Sequence, residues 1–379
     1  MDSWQGGLEG VGIVLKDTFK IFSKKTVLVT GHTGFKGSWL SLWLQELGAK
    51  VIGYALDPKN ENDNFIRAKI GKDLTDYRGD IRDYDKLISV FAKHDPEIVF
   101  HLAAQTIVRE GYREPKETFD VNIGGTVNVL EACRLTPSIK SLVNVTSDKC
   151  YENKGKGAPY KESDRLGGFD PYSASKACAE LVSSAYGHSF FPIAKNGRTM
   201  LGMATVRAGN VIGGGDWSKD RIIPDCIRSL GSQQPIKIRN PQHTRPWQFV
   251  LEPLAGYLLL AAYIYKKPEK YSGAWNFGPA LEASVPVSVL VDKIIKTYGR
   301  GSWLAEDNTV QPMESHLLAL DASKAIKNLN WRPALSLDEA VKATVDWYKF
   351  SELNRDLHDF SLRQIADYLA KADKFYGNH

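Results

Sequence analysis

The sequence has few cysteines, and their spacing suggests neither a cross-link nor a metal. Cys133, Cys150, Cys178 and Cys226 lie far apart, with no Cys-x-x-Cys. No disulfide framework or zinc site can be read from such spacing, and all four read as reduced thiols. The eight histidines likewise show no His-x-x-x-His or carboxylate spacing for a metal. His32 and His101 read as structural. Long apolar runs are also missing. The longest, Leu254 to Tyr265, falls short of the ~20 residues that cross a bilayer. The first two dozen residues lack a signal-peptide layout, because Asp2, Glu9, Lys16 and Asp17 interrupt the apolar positions. A cytoplasmic location is the expectation by elimination. Blocks of one charge are absent too. The net charge is +5 over 379 residues, with basic residues spread along the chain. That argues against nucleic acid as a partner and suits a small anionic ligand equally well. There is no internal repeat and no low-complexity tract.

What remains is an ordinary globular composition, 43% hydrophobic and 25% charged, long enough for a sizeable core. In its first half, short apolar runs alternate with helical patterns. Lys25–Thr30, Lys50–Ala55, Glu97–Leu102, Ser141–Thr146 and Leu201–Val206 read as strands. Ser38–Leu47, Thr118–Leu135 and Pro171–Ala185 read as helices, with Gly48 placed to stop the first. Continuous apolar strands separated by helices imply an α/β fold with a doubly wound parallel sheet covered on both faces. After Arg207 the pattern becomes irregular, and Gly213-Gly-Gly215 marks a loop. Leu251–Tyr265 and Ala274–Phe277 still look like parts of the sheet layer. Residues 1–24 form a tail in which Val11, Val14, Leu15, Phe19 and Phe22 follow an amphipathic helical pattern.

The first strand runs into Gly31-His-Thr33-Gly34-Phe35-Lys36-Gly37, which opens the first helix. A lone glycine triplet is weak, but in a strand–turn–helix context it fits a dinucleotide pyrophosphate. The glycines allow a tight turn and close backbone approach, and the helix start offers free N–H groups. Asp57, about 20 residues on, can accept hydrogen bonds from a ribose diol and favours NAD over NADP. Lys36 and Lys59 pull the other way, because either could pair with a 2′-phosphate. Asp80-Ile81 could border an adenine or lie in a solvated loop. Leu102-Ala103-Ala104 ends a later strand with small side chains suited to a cofactor lying against them.

Tyr172 and Lys176 are four residues apart and so share one face of a helix. A lysine beside a phenol favours the phenolate, which can take a proton from a hydroxyl as hydride leaves its carbon. Lys176 can also hold a nicotinamide ribose. Thr146-Ser147-Asp148-Lys149 lies where a strand ends, at the edge of a doubly wound sheet that faces ligand. Ser147 is placed to bond the hydroxyl being oxidised. Asp148 and Lys149 add two proton-transfer groups that alcohol oxidation alone does not need. The alternative for that pair is a surface ion pair.

The order of these motifs resembles the extended short-chain dehydrogenase/reductase, or NAD-dependent epimerase/dehydratase, family from about Lys25 onward. The resemblance implies a Rossmann-type sheet with a smaller mixed α/β C-terminal substrate domain. It divides the chain into a tail at 1–24, an NAD-binding part at 25–207 plus about 247–279, and a nucleotide-sugar part at about 208–246 plus 280–379. In the family's 4,6-dehydratase subfamily, an acid at the position of Asp148 protonates the departing C6 hydroxyl, and its neighbour removes the C5 proton. Hydride moves from C4 to NAD and back to C6. Ser147 stands where a threonine is usual. The resemblance assigns Gln105, Asn210, Arg221 and Arg245 to the substrate. Asn210 and Arg221 would lie by a diphosphate within or beside Arg207–Trp217, and Arg245 would clamp the second phosphate from Arg245–Val250. Lys149 in second place, with Gly209–Trp217, resembles the branch acting on a CDP-hexose, CDP-D-glucose. The family also implies a homodimer or tetramer. A 4-epimerase, a dehydratase for dTDP- or GDP-hexoses, and a non-catalytic NAD-binding protein stay open. So does the work of Lys149. A lysine with an ordinary pKa of about 10.4 must be neutralised to act as a base. The same positive surroundings would hold Asp148 ionised, unless the two share a proton.

Overall fold

The computed structural model describes residues 15–153, 155, 158–191, 201–306, 318–353 and 355–377. Among these residues, twelve strands follow in chain order. They are β1 (Thr26–Thr30), β2 (Lys50–Ala55), β3 (Thr75–Arg78), β4 (Ile98–His101), β5 (Ser141–Val145), β6 (Gly202–Ala208), β7 (Asn210–Ile212), β8 (Ile236–Ile238), β9 (Thr244–Phe249), β10 (Gly273–Phe277), β11 (Ser284–Pro286) and β12 (Trp303–Ala305). Seven of them form one sheet in the order β10-β6-β5-β4-β1-β2-β3. Every pairing in it is parallel. Such a sheet needs cover on both faces, which is why β1, β4, β5 and β6 read as unbroken apolar runs.

The five strands expected from sequence are all in this sheet. β3, Thr-Asp-Tyr-Arg, is the edge strand and half exposed, so it carries no apolar run to read. β10 pairs with β6 on the far edge, which places Ala274–Phe277 in the sheet layer. Helix Leu251–Lys266 is buried nearly all round, as a helix sandwiched inside a core must be. The helix expected over 118–135 is broken. It runs Pro115–Phe119, then a π-helical turn Asp120–Gly124, then Gly125–Arg134.

The chain leaves the sheet after β6 and again after β10. These excursions build a three-stranded sheet, β11-β9-β7, and a two-stranded one, β12-β8. In the tail, only Leu15–Phe19 and the turn after it are described, and Val11 and Val14 lie outside the described residues. Leu15, Phe19 and Phe22 are buried in the main core. Phe19 meets Trp43 edge-on at 5.8 Å, and the Leu15 amide donates to Asp373 Oδ1 at 2.7 Å. The helical face of the tail therefore packs on its own chain. Among the described residues, no helix is long and apolar enough to cross a membrane.

Candidate active site

The sheet order reverses between β1 and β4, each of which pairs with the other and then with a strand on its own side. In an open α/β sheet, ligands bind outside the carboxyl ends of the strands at such a point. Both candidate motifs lie there. Gly31 follows β1 with φ +75°, and a Cβ on it would stand 2.7 Å from the Ala103 amide nitrogen beyond β4. A Cβ on Gly37 would stand 2.0 Å from the Gly31 carbonyl oxygen. Only glycine lets turn, helix and β4 loop close this tightly. Thr33 Oγ1 donates to the Leu56 carbonyl at 2.9 Å and ties the turn to the end of β2. Helix Phe35–Glu46 starts at the exposed Gly34, with no side-chain cap and no acid in its first turn. Its first N–H groups are left for an anion, so the cradle fits a pyrophosphate.

At the ribose end, Asp57 and Lys36 face different ways. Asp57 is 84% exposed, and its charge partner is Arg78 of β3 at 3.5 Å. Lys36 is turned the other way, with Nζ 3.4 Å from Tyr257 Oη. Helical side chains point back toward the helix start, which brings Lys36 to the reacting groups instead. Burial pushes its ammonium down to about 7, with Arg221 and Lys176 adding and Asp148 opposing. Asp80 is held by Arg82, whose Nη2 lies 2.6 Å from Oδ2, and that ion pair keeps its carboxyl below the ordinary value. Ile81 is a core residue packed against Gly125. Leu102, Ala103 and Ala104 follow β4 as a half-buried stretch.

The second motif leaves β5 at Thr146. Ser147 caps a single 3-10 turn, Asp148–Cys150, by accepting from the Lys149 amide at 3.2 Å. Its hydroxyl donates to Asp148 Oδ1 at 2.9 Å. Helix Pro171–Ser189 begins with Asp170 as cap and proline in its first turn, a strong start signal. One turn apart on it, Tyr172 and Lys176 are both buried. The Lys176 ammonium donates to the Val145 carbonyl at 3.3 Å, so helix and strand end are joined at the site.

Burial dominates the electrostatics here. It raises Tyr172 to about 12, with Asp148 and Asp170 adding to the rise and Ser147 and Arg221 opposing it. It lowers Lys176 to about 8. It raises Asp148 against the pull of Lys149, Ser147 and Lys36. The sequence reading expected the positive surroundings to keep Asp148 ionised. Its carboxyl is raised instead, because it is almost wholly out of water and desolvation outweighs its cationic neighbours. A raised carboxyl is the form an acid catalyst needs.

Of the later segments, Gly209 and Arg221 reach the same place. A Cβ on Gly209 would stand 3.2 Å from Asp148 Oδ2. Arg221 donates to Asp216 Oδ2 and to Thr106 Oγ1, both at 3.0 Å, and its charge acts on Tyr172. Asn210 sits half-buried at the start of β7. Arg245, on β9, donates to the Thr244 carbonyl at 3.0 Å. Gln105 is folded onto its own loop, its amide nitrogen donating to Thr118 Oγ1 at 2.9 Å and to the Ile107 carbonyl at 3.1 Å. Sequence reasoning missed Asn122, in the π turn. Its side chain donates to the Gln105 carbonyl at 2.9 Å and to Ser175 Oγ at 2.8 Å, joining the cofactor-side loop to the Tyr172 helix. An asparagine inside a helical pattern, just before Gly124-Gly125, was the available signal.

His101 bridges Thr30 Oγ1 at 2.7 Å and Thr126 Oγ1 at 3.2 Å, and burial lowers it to about 3. His32 lies 2.9 Å from Asp76 Oδ1. Both are structural, as expected. Among the described residues, no group of acids, histidines and cysteines could hold a metal ion.

Comparison with known proteins agrees with this architecture. The family model described as GDP-mannose 4,6 dehydratase matches residues 28–344. A CDP-glucose 4,6-dehydratase of Salmonella typhimurium is 49% identical over 347 residues, 91% of this chain and 96% of that protein. A UDP-glucuronate 4-epimerase of Thermodesulfobacterium geofontis is 27% identical, over 85% of this chain and 95% of its own. Among solved structures, a UDP-glucose 4-epimerase from Thermotoga maritima superposes with a TM-score of 0.75 at 22% identity, covering 86% of this chain and 99% of that one. A dTDP-glucose 4,6-dehydratase from Bacillus anthracis, in complex with NAD, gives 0.71 at 22% identity over 87% and 98%. At that identity the likeness is one of fold. With the family model spanning most of the chain and a relative at 49% identity over nearly its full length, this chain belongs to the GDP-mannose 4,6 dehydratase family of extended short-chain dehydrogenases/reductases.

Proposed function

We propose that this chain dehydrates a nucleotide-sugar, CDP-D-glucose, to CDP-4-dehydro-6-deoxy-D-glucose, with NAD as its resident cofactor. The observation that carries the reading is the Ser147–Asp148–Lys149 turn set against Tyr172 and Lys176, with Asp148 buried and its carboxyl raised. The choice of CDP-glucose rests on the 49% identical relative.

Residues 25–207 with about 247–279 hold the cofactor. Residues about 208–246 with 280–379 cover the sugar nucleotide. The Gly31–Gly37 turn and the start of helix Phe35–Glu46 receive the pyrophosphate, Asp57 the adenosine ribose, and Lys176 the nicotinamide ribose. When bound, NAD supplies the hydride acceptor for C4 and the donor for C6, and ends unchanged. Tyr172 Oη takes the C4 hydroxyl proton, with Ser147 Oγ bonded to that oxygen. Arg221 places positive charge near Tyr172, which the phenolate requires. Once C4 is a ketone, the C5 proton is acidic. Lys149 Nζ takes it, and Asp148 gives its proton to the C6 oxygen, which departs as water. Asn210 and Arg245 hold the diphosphate. The family's pairing through the Tyr172 helix fits the exposure of Leu181 on its outer face, so a homodimer is the proposed assembly, and sedimentation tests it.

The deciding experiment incubates the protein and NAD with CDP-, dTDP- and GDP-hexoses and weighs the products. Loss of one water from CDP-glucose is expected. Epimerised product of unchanged mass would establish the 4-epimerase reading, in which Asp148 and Lys149 have no proton to move. Binding without turnover on any substrate would establish a non-catalytic NAD-binding protein.

A further inference from the structure

Glu180 lies one turn beyond Lys176 on helix Pro171–Ser189, its side chain 3% exposed. Four donors converge on its carboxylate. Arg207 Nε reaches Oε1 at 2.8 Å and Nη2 reaches Oε2 at 2.7 Å. Thr205 Oγ1 donates to Oε2 at 2.7 Å, and Thr146 Oγ1 donates to Oε1. The remaining Arg207 Nη1 reaches Tyr151 Oη at 2.6 Å, and that hydroxyl donates to Asn276 Oδ1 at 2.8 Å. One buried carboxylate thus ties the Tyr172 helix to the end of β5, to β6 and, through Arg207, to β10. Thr146 is the residue between Val145, whose carbonyl holds Lys176, and Ser147.

We propose, on the dehydratase reading above, that Glu180 is a positioning residue. It fixes the Thr146–Lys149 strand end against Tyr172 and supplies the counter-charge to the Lys176 ammonium. A buried ion pair is no gain in stability over well-packed apolar groups, so its placement calls for another use. The groups facing Lys176 support this one. Burial lowers the ammonium to about 8, and Glu180 is the largest influence opposing the fall. Cys150, from the turn after β5, is pushed well up by burial and stays a neutral thiol. His101, from β4, stays neutral at about 3. Lys36, from the first helix, is itself lowered, chiefly by burial and in small part by the Lys176 charge. Glu180 is therefore the anion on which a charged Lys176 depends most.

The test is Glu180→Gln, with folding checked by circular dichroism and melting. The amide keeps most of the hydrogen bonds and removes the charge. Activity that needs charged Lys176 falls as pH rises through its pKa, so losing the anion moves the alkaline limb of the kcat–pH profile down by about one unit. We expect kcat to fall roughly 10- to 100-fold with KM for CDP-glucose within about twofold, because Glu180 touches no substrate. Glu180→Asp should return the limb toward its original position. Thr146→Val, which keeps the charge, should lower kcat and leave the limb in place. If Glu180→Gln does not fold, Glu180→Gln with Arg207→Gln carries the same readouts. A folded charge-removing variant with unchanged kcat and limb overturns the proposal. A wild-type protein that dehydrates no nucleotide-sugar overturns the dehydratase reading and this inference with it.

Discussion

Glu252 makes folding stability depend on pH. It stands in the first turn of helix Leu251–Lys266 and is 1% exposed. Its Oε1 accepts the Ala334 and Leu335 amides at 2.9 and 2.7 Å, and its Oε2 meets Tyr368 Oη at 2.9 Å. Burial raises its carboxyl from 4.5 to about 7, against those hydrogen bonds. The folded protein therefore keeps a proton that the unfolded chain has already released. Stability from this group is complete below about pH 4.5 and is lost as pH rises through 7. At about 1.36 kcal/mol per unit, the loss is on the order of 3 kcal/mol. Glu252→Gln mimics the protonated acid: its oxygen keeps both amides and its nitrogen can donate to Tyr368. The variant should match the wild type at pH 5 and exceed it by on the order of 3 kcal/mol at pH 8. Unfolding entropy near 2.1 cal/mol/K per residue, over 379 residues, turns that into a melting shift of roughly 4 °C. Glu252→Ala should be destabilised at both pH values, since each orphaned buried amide costs about 1–3 kcal/mol. Melting of all three proteins at both pH values is the assay. A Glu252→Gln difference that is the same at pH 5 and pH 8, or a variant weaker than wild type at pH 8, would refute the reasoning.

Three further outcomes concern the site. Asp148→Asn should bind NAD and CDP-glucose as before and lose roughly 100- to 10,000-fold in water elimination, read by product mass against time; a loss below tenfold removes Asp148 as the acid. Lys149→Ala should abolish exchange of the C5 proton with deuterated solvent, and full exchange in the variant would leave Lys149 an electrostatic role alone. Gly37→Ala puts a methyl 2.0 Å from the Gly31 carbonyl oxygen. The turn must open, and overpacking of about 1–3 kcal/mol should weaken NAD binding roughly 5- to 150-fold by calorimetry. Unchanged affinity in a folded protein would show that the turn does not hold the cofactor.

The parallel direction of the main sheet was legible because such a sheet leaves an unmistakable trace: apolar runs with helices between them. β3 was not, since an edge strand of Thr-Asp-Tyr-Arg has little to bury. Both glycine and tyrosine motifs were legible, being contacts between near neighbours in sequence. What escaped were groupings made across long separations. Lys36 meeting Tyr257, Arg78 beside Asp57, and Glu180 gathering Thr146, Thr205 and Arg207 each join elements that only the folded sheet brings together. The sign of the Asp148 shift escaped for a related reason. Nearby charges can be listed from sequence, but the depth at which they are buried cannot.

The return of the chain to β10 has a consequence for its birth on the ribosome. The sheet lacks its outer strand until residue 277 has been made, and helix Leu251–Lys266, a main cover of one face, comes only shortly before. The helix Leu357–Gly377, which packs on the first two helices, comes later still. At about 5–20 residues per second, the interval from the end of β6 to that last helix is roughly 10–30 s. Until helix Leu251–Lys266 has been made, an apolar sheet face stands open to solvent. The nascent protein is thus a natural client for chaperones that hold exposed hydrophobic strands, long after its nucleotide-binding turn has formed.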